Sequence, residues 1–437
     1  MNRISKMLFG TAILAMLLVA CASTAEPTEE PAAPPPEDTA VPAEPEEPAE
    51  EEPMEEPETI LIGGIHPLTG GLAADGINMD RAIQMAIDEI NAAGGIAELG
   101  GAQLVYLSSD STGAADVGQT EAERLITEGA QALICCFQSS VTTNVAAISE
   151  REGVPLVIDV AVMDAILDQG YKNTFRLQPN ATSMGINGAN YLKDIAEAAG
   201  DSVESVVILF EGTTGFGDSV RAAFAAEAAN LGIEVLDEIS FEPFAVTDLT
   251  TEMTRINSLA PDVLVVTGYY NDGLIAARNA EEVGLDVKAV YGLAQGTYDQ
   301  PQFVTDAGDL AQCFFDSNFH WDAGNPDALA VREAYAAKFG EPMRTGAVFS
   351  YQAVYLIADA IARAGSSDPL AIRDALAESD YSEYLLPYLG NIQFDETGEN
   401  VNARPVVMQV QDGEVLQVWP PDLAEASPIF PCVSWGD

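Results

Sequence analysis

Histidine and basic side chains are scarce in this sequence. Of 437 residues only two are histidine, His66 and His320, and 18 are lysine or arginine, against 69 aspartate and glutamate. Neither histidine has a partner at metal-ligand or triad spacing, and there is no GxSxG elbow, HExxH helix or Walker lysine. Catalysis by a metal, a nucleophile or a general base therefore has no sequence support, and neither metal nor cofactor is expected. The formal net charge of -51 excludes nucleic acid as a partner, because such a surface repels phosphate backbones, and opposes electrostatic docking on anionic lipid. Long apolar runs are lacking too: beyond Ala20 nothing approaches the roughly 20 residues that a membrane-crossing helix needs. Cysteine is limited to five positions, Cys21, Cys135, Cys136, Cys313 and Cys432, whose spacing does not suit a zinc site.

The two ends of the charge distribution define the compartment. Arg3 and Lys6 precede a 14-residue apolar stretch from Met7 to Ala20, the length of a secretion-signal core. It ends in Leu18-Val19-Ala20-Cys21, which looks like a bacterial lipobox. On that reading residues 1–20 are a lipoprotein signal peptide and Cys21 carries the acyl chains, which are the whole membrane attachment. The alternative is an ordinary signal peptide with a chance cysteine. Residues 22–58 then hold 14 acidic residues and 10 of the 25 prolines, with no Lys, Arg or aromatic residue. Such a segment has nothing to bury, and proline stiffness with like-charge repulsion extends it, so residues 21–58 read as a disordered tether.

From Thr59 onward, strand and helix alternate. Short β-branched runs begin at Ile60, Gln103, Ala132, Pro155, Ser205, Asp262 and Lys288, and they lack polar alternation, as strands buried on both faces do. Between them lie amphipathic helices; the first sets Ile83, Ala86, Ile87 and Ile90 on one stripe and stops at Gly94-Gly95. This predicts an α/β fold of two doubly wound, parallel-sheet lobes, with a joint near Phe175 to Gly185. In open parallel sheets ligands bind beyond the carboxyl ends of the strands, so two facing lobes make a cleft. In EGTTGFGDS, Glu211 to Ser219, the glycines do not have dinucleotide spacing; a plain strand-to-helix turn accounts for them better than close approach to a ligand. Outside the cytoplasm disulfides persist. Cys135 and Cys136, adjacent on a strand, should face opposite ways and not bond each other. A Cys313–Cys432 link and reduced, buried cysteines are both open.

Several segments together resemble the type I periplasmic substrate-binding proteins, specifically the branched-chain amino acid (Leu/Ile/Val) binding family of ABC importers. They are IGGIHPLTGGLAADG from Ile62, INAAGGI from Ile90, FQSSVTT from Phe137, ILDQGYKNTFR from Ile166, TGYYNDG from Thr267 and RNAEEVGL from Arg278. The resemblance runs from about residue 59 to about 415. It implies a Venus-flytrap body whose chain crosses between lobes three times, near 178–182, 314–322 and 386–390. The N-terminal lobe is then 59–180 plus 320–388, and the C-terminal lobe 181–319 plus 389–437.

By the same resemblance the ligand's carboxylate falls to Ser139 and Ser140, at a strand end and helix start where free N–H groups and the helix dipole favour an anion. Plain N-capping is compatible with that role. Ala161 matches a family contact, while Val162 stands where the family has threonine and so loses a donor. Tyr269 or Tyr270 is expected at the ligand's ammonium, and Phe216 against its body. Two departures concern the cation side: Asp75 stands at the family's first-loop aromatic position, and Ala294 or Gln295 where a carboxylate should neutralise the ammonium. Either Asp75, Glu211 or Asp299 supplies that charge, or the ligand is not an ordinary α-amino acid. The function implied is a monomeric, lipid-anchored, extracytoplasmic substrate-binding component that captures an amino acid or similar small polar ligand by lobe closure and docks on membrane permease subunits. The alternative is a sensor that signals to a membrane kinase or chemoreceptor. Neither involves enzyme activity.

Overall fold

The computed structural model describes residues 58–433 and Trp435. The calls of a signal peptide over 1–20, of lipidation at Cys21 and of a tether, up to residue 57, fall outside the described residues. The first sheet comprises β1 (Thr59–His66), β2 (Gln103–Asp110), β3 (Ala132–Cys135), β4 (Leu156–Ile158) and β5 (Thr174–Arg176), all parallel, in the order β2-β1-β3-β4-β5. The missing polar alternation has a direct cause. Ile60, Ile62, Ala132 and Ile134 face a core under one layer of helices, whereas Ile65, Leu133 and Cys135 face a second core on the other side. Burying each such Val, Leu or Ile contributes about 1.5–3 kcal/mol.

Three helices flank this sheet early in the chain: α1 (Ala73–Ala92), α2 (Ala115–Thr127) and α3 (Ser139–Glu152). The stripe Ile83, Ala86, Ile87 and Ile90 of α1 is buried as its spacing predicts. The helix ends where Gly94 and Gly95 take φ of 111° and 73°, values that exclude most side chains.

The second sheet contains β6 (Ser205–Glu211), β7 (Glu234–Phe241), β8 (Val263–Thr267), β9 (Ala289–Leu293), β10 (Phe315–Asn318), β11 (Val406–Gln411) and β12 (Glu414–Trp419), in the order β12-β11-β10-β9-β8-β6-β7. Its first five strands are parallel, and the hairpin β11–β12 adds an antiparallel edge. Residues 206, 208, 263 and 265 serve one core and 207, 209, 264 and 266 the other, so this sheet is also covered twice. Its helices are α4 (Ala181–Ala198), α5 (Phe216–Leu231), α6 (Thr250–Leu259), α7 (Tyr270–Glu282) and α8 (Pro301–Ala307). The chain then returns to the first lobe for α9 (Pro326–Phe339), α10 (Thr345–Ala364) and α11 (Pro369–Ala377), whose buried faces include Tyr335, Val348, Val354 and Ile372 of the first core.

The chain thus passes between the two sheets after Arg176, after Asn318 and before Val406. The third passage lies later than 386–390. Leu386, Tyr388 and Ile392 pack in the first lobe's core, Asn400 Nδ2 donates to Leu177 O at 3.1 Å, and Arg176 N donates to Gly398 O at 2.8 Å. Those contacts hold the segment from 389 to about 403 on the first lobe, so the expected boundary at residue 388 is corrected.

The expectation for adjacent cysteines is overturned. Cys135 is the last residue of β3 and Cys136 lies beyond it, so strand alternation does not govern the pair, and the two are bonded to each other with Cα atoms 3.1 Å apart. The second disulfide joins Cys313 to Cys432, with Cα atoms 5.5 Å apart.

Candidate functional site

In each sheet the strand order reverses once, between β1 and β3 in the first and between β6 and β8 in the second. Such reversals open a crevice at the carboxyl ends of the strands. The two crevices share a cavity whose empty space, counting the part open to solvent, is about 400 Å³. From the first lobe Phe137 and Ser139 enter it after β3, and Val160, Ala161 and Val162 after β4. From the second come Phe216 at the start of α5, Gly268 and Tyr269 after β8, and Ala294 and Gly296 after β9. Asn318 and Phe319, at the second passage, complete it.

Ser139 is the first residue of α3 and is buried. Its Oγ accepts a long bond, 3.4 Å, from Met163 N, and it donates to no protein acceptor among the described residues. Among the described residues no side chain caps α3. The residue in the capping position, Gln138, turns its amide away to donate to Gly113 O at 3.2 Å. The helix's first backbone bond runs from Thr142 N to Gln138 O, so the N–H groups of Ser139, Ser140 and Val141 precede any helical acceptor. This end of the cavity is one of positive potential.

The opposite wall is aromatic. The Tyr269 ring stands 5.6 Å from Phe216, 4.7 Å from Phe244 and 6.2 Å from Phe137. Its hydroxyl lies 3.2 Å from Thr214 Oγ1, and Thr214 donates its own proton to Glu211 Oε1 at 2.6 Å, which makes Tyr269 the donor to Thr214. Burial and then the charge of Glu211 hold the Tyr269 phenol well above its ordinary pKa.

Of the residues expected at the site, Ser139, Ala161, Val162, Phe216, Tyr269 and, of the pair Ala294 or Gln295, Ala294 are brought together on this cavity, and Ser140, Tyr270, Asp75 and Gln295 are not. Ser140 follows Ser139 into the helix, where the turn carries its side chain off the lining. Tyr270 points away and donates to Asp306 Oδ2 at 2.8 Å. Asp75 is paired with Arg344 at 2.8 Å in the first lobe; desolvation raises its pKa, against the opposing pull of Arg344. Gln295 is buried beside the lining, its Oε1 accepting from Thr297 Oγ1 at 3.2 Å.

The remaining carboxylates are equally placed. Glu211 accepts from Thr213 N, Thr214 N, Thr214 Oγ1 and Gly217 N at 2.6–3.2 Å. A Cβ on residue 217 would lie 2.4 Å from Glu211 O, so the glycine-rich segment is a turn built around this carboxylate. Asp299 is buried against Thr345, and desolvation followed by the Asp75 charge pushes its pKa up to about 7. His66 is also buried, with Nε2 2.8 Å from Asp159 Oδ2, which also accepts from Ser350 Oγ at 2.6 Å. Serine and histidine meet the aspartate and not each other, and all three are sealed from solvent, so this is no catalytic triad.

Sequence reasoning missed Phe137, Val160, Gly268, Gly296, Asn318 and Phe319. Phe137 adjoins Ser139 in the quoted FQSSVTT segment, and Asn318-Phe319 lies within the 314–322 crossing, so proximity to those landmarks was the usable signal.

A cavity between the switch points of two doubly wound sheets, joined by three passages of chain, defines a two-lobed ligand-binding protein of the type I periplasmic class. The chain belongs to the family whose model is described as Periplasmic binding protein, which matches residues 59–414. Among curated proteins it is similar to Leu/Ile/Val-binding protein homolog 7 of Brucella abortus (strain 2308), 29% identical over 380 residues covering 85% of this chain and 93% of the relative. Among solved structures it is similar to the branched-chain amino acid transporter substrate binding protein LivJ of Streptococcus pneumoniae in complex with isoleucine, with TM-score 0.72, 25% identity and coverage of 86% of this chain and 100% of that one. The leucine binding protein LivK of Thermotoga maritima shares the fold, with TM-score 0.72, 24% identity and coverage of 83% and 99%.

Proposed function

We propose that this protein is the extracytoplasmic substrate-binding component of an ABC importer, held at the membrane by lipidated Cys21 and capturing an amino acid or similar small organic ligand by lobe closure. The observation that carries the reading is the cavity itself. Ser139 and the uncapped start of α3 come from one lobe and the Tyr269–Phe216 wall from the other, so a ligand in contact with both favours the closed arrangement over an open one. Its relatives support the transport role: LivJ is a transporter component and was solved with isoleucine. The ligand is bound and released unchanged, so no enzyme activity is expected.

Thermal unfolding of the full chain against a panel of amino acids, amides and small carboxylates tests this. A ligand at about 100 times its Kd should stabilise the fold by roughly 2.7 kcal/mol. Phe216→Ala and Ser139→Ala should each diminish the shift. If no compound raises the melting temperature, or if the shift is indifferent to both substitutions, the cavity is not the ligand site.

A further inference from the structure

The cavity's chemistry is uneven, and the unevenness bears on the ligand. This step rests on the reading of the cavity as the ligand site. At the Ser139 end an anion meets a buried hydroxyl with a free proton and three N–H groups ahead of the first helical bond. At the Tyr269 end a cation meets aromatic faces and one neutral phenol oxygen, with no carboxylate on the lining to balance its charge. No charged side chain lines the cavity among the described residues.

None of the carboxylates near that end lines the cavity, although Asp272 Oδ1, Asp299 Oδ1 and the buried Asp316 Oδ2 have no hydrogen-bond partner among the described residues. Glu211 has its four acceptor positions filled by the turn that precedes α5. Asp75 is spent on Arg344. Asp272 sits behind Gly268 and caps α7 by accepting from Tyr269 N at 3.1 Å. Asp299 is buried at Thr345, off the lining. An ammonium enclosed here would lose its water and gain no counter-charge, which is among the costliest arrangements in a protein interior.

We propose that the ligand is an apolar carboxylate without an ammonium group, an aliphatic or aryl-substituted acid whose carboxylate sits at Ser139 and the start of α3 and whose body packs on Tyr269 and Phe216. Loss of the ammonium removes the group this cavity cannot neutralise and keeps both the group and the body it can hold.

Matched pairs of compounds that differ only in the ammonium decide the matter. Titration calorimetry on the full chain would compare 4-methylpentanoate with leucine and 3-phenylpropanoate with phenylalanine. At least one acid should bind about 100-fold more tightly than its amino acid, with Ser139→Ala weakening the acid by about tenfold and Phe216→Ala weakening it as well. If leucine or phenylalanine binds within tenfold of its acid, the inference falls and the binding-protein reading stands, with Asp272→Asn then showing whether that carboxylate serves the ammonium. Should none of the four bind while another compound of the wider panel does, the inference is likewise overturned and the transport reading survives. Binding of the acids that ignores both substitutions would overturn the inference and the cavity assignment together.

Discussion

Arg176 Nη2 donates to Met163 O at 2.8 Å, and Nη1 of the same guanidinium bonds Val162 O. A fully buried arginine on the last strand of the first sheet therefore holds the loop that carries Ala161 and Val162 into the cavity. Its backbone N–H binds Gly398 O, and Glu399 Oε2 lies 3.7 Å from its Nε, so the same residue ties the loop to the segment approaching the third passage. Arg176→Met should leave two carbonyls and Glu399 without their cationic partner, costing on the order of 3 kcal/mol of stability. Chemical denaturation would measure it. An unchanged midpoint would mean that water replaces the guanidinium without loss.

Tyr269 contributes a ring and a hydroxyl, and the two can be separated. Tyr269→Phe keeps the contacts with Phe216 and Phe244 and deletes only the bond to Thr214, so ligand affinity should change by no more than about threefold, the scale of one neutral hydrogen bond. Tyr269→Ala removes the wall and should weaken binding by about 30-fold, or roughly 2 kcal/mol, as loss of a central aromatic anchor does. Equal losses for both variants, measured by calorimetry with whichever ligand first stabilises the protein, would transfer the importance to the hydroxyl.

The parts of this molecule that were legible in its sequence are those governed by burial on both faces. Runs such as Val206–Leu209 and Val263–Val266 have no polar alternation because a core lies on either side, and that pattern alone reveals a covered parallel strand. Strand β7 was not among the expected strands, because its residues alternate partly buried and exposed positions at the sheet edge. The three-residue β5 was too short to show a period. At the cavity, Ser139 could be read from its place between strand and helix. Whether Tyr269 or Tyr270 faces inward could not, since adjacent residues at a helix start differ by about 100° in direction and only tertiary packing sets the zero of that angle. The commitments of Asp75 to Arg344, 269 residues away, and of Ser350 to Asp159 are equally products of the fold.

The Cys313–Cys432 disulfide joins positions 119 residues apart and pins the C-terminal segment beside β9, where Cys432 N donates to Lys288 O at 2.8 Å. Crosslinks that close loops of this length restrict the unfolded chain strongly, and losing one typically costs about 2–4 kcal/mol. Cys313→Ser is expected to lower the denaturation midpoint correspondingly, and Cys313→Ser combined with Cys432→Ser should do so by a similar amount. A double variant as stable as the parent would show that the link constrains nothing the fold does not already hold.

Asp299 gives the protein a pH dependence of definite sign. Among the described residues its Oδ1 has no hydrogen-bond partner and the side-chain partner of its Oδ2 is Thr345 Oγ1 at 3.5 Å, while burial and the Asp75 charge raise its pKa to about 7; burial likewise raises Asp272 to about 6. An acid whose pKa is higher folded than unfolded binds more protons in the folded state, so its contribution is complete below the unfolded value of roughly 4 and is lost as pH rises through the folded one. Stability should therefore decline between about pH 4 and 7 on account of these groups. Repulsion across the acidic surface acts in the same direction, so the informative quantity is the difference between parent and variant. Asp110 and Glu121, whose partial burial is outweighed by the hydrogen bonds that together hold them below the ordinary carboxylate range, act below this window and do not interfere. Asp299→Asn should match the parent near pH 4 and exceed it at pH 8 by on the order of 2 kcal/mol, because the amide never ionises. Melting curves of the two proteins at half-unit pH steps would show the gap opening with rising pH. Parallel curves would mean that Asp299 is solvated in the folded protein and carries its charge without penalty.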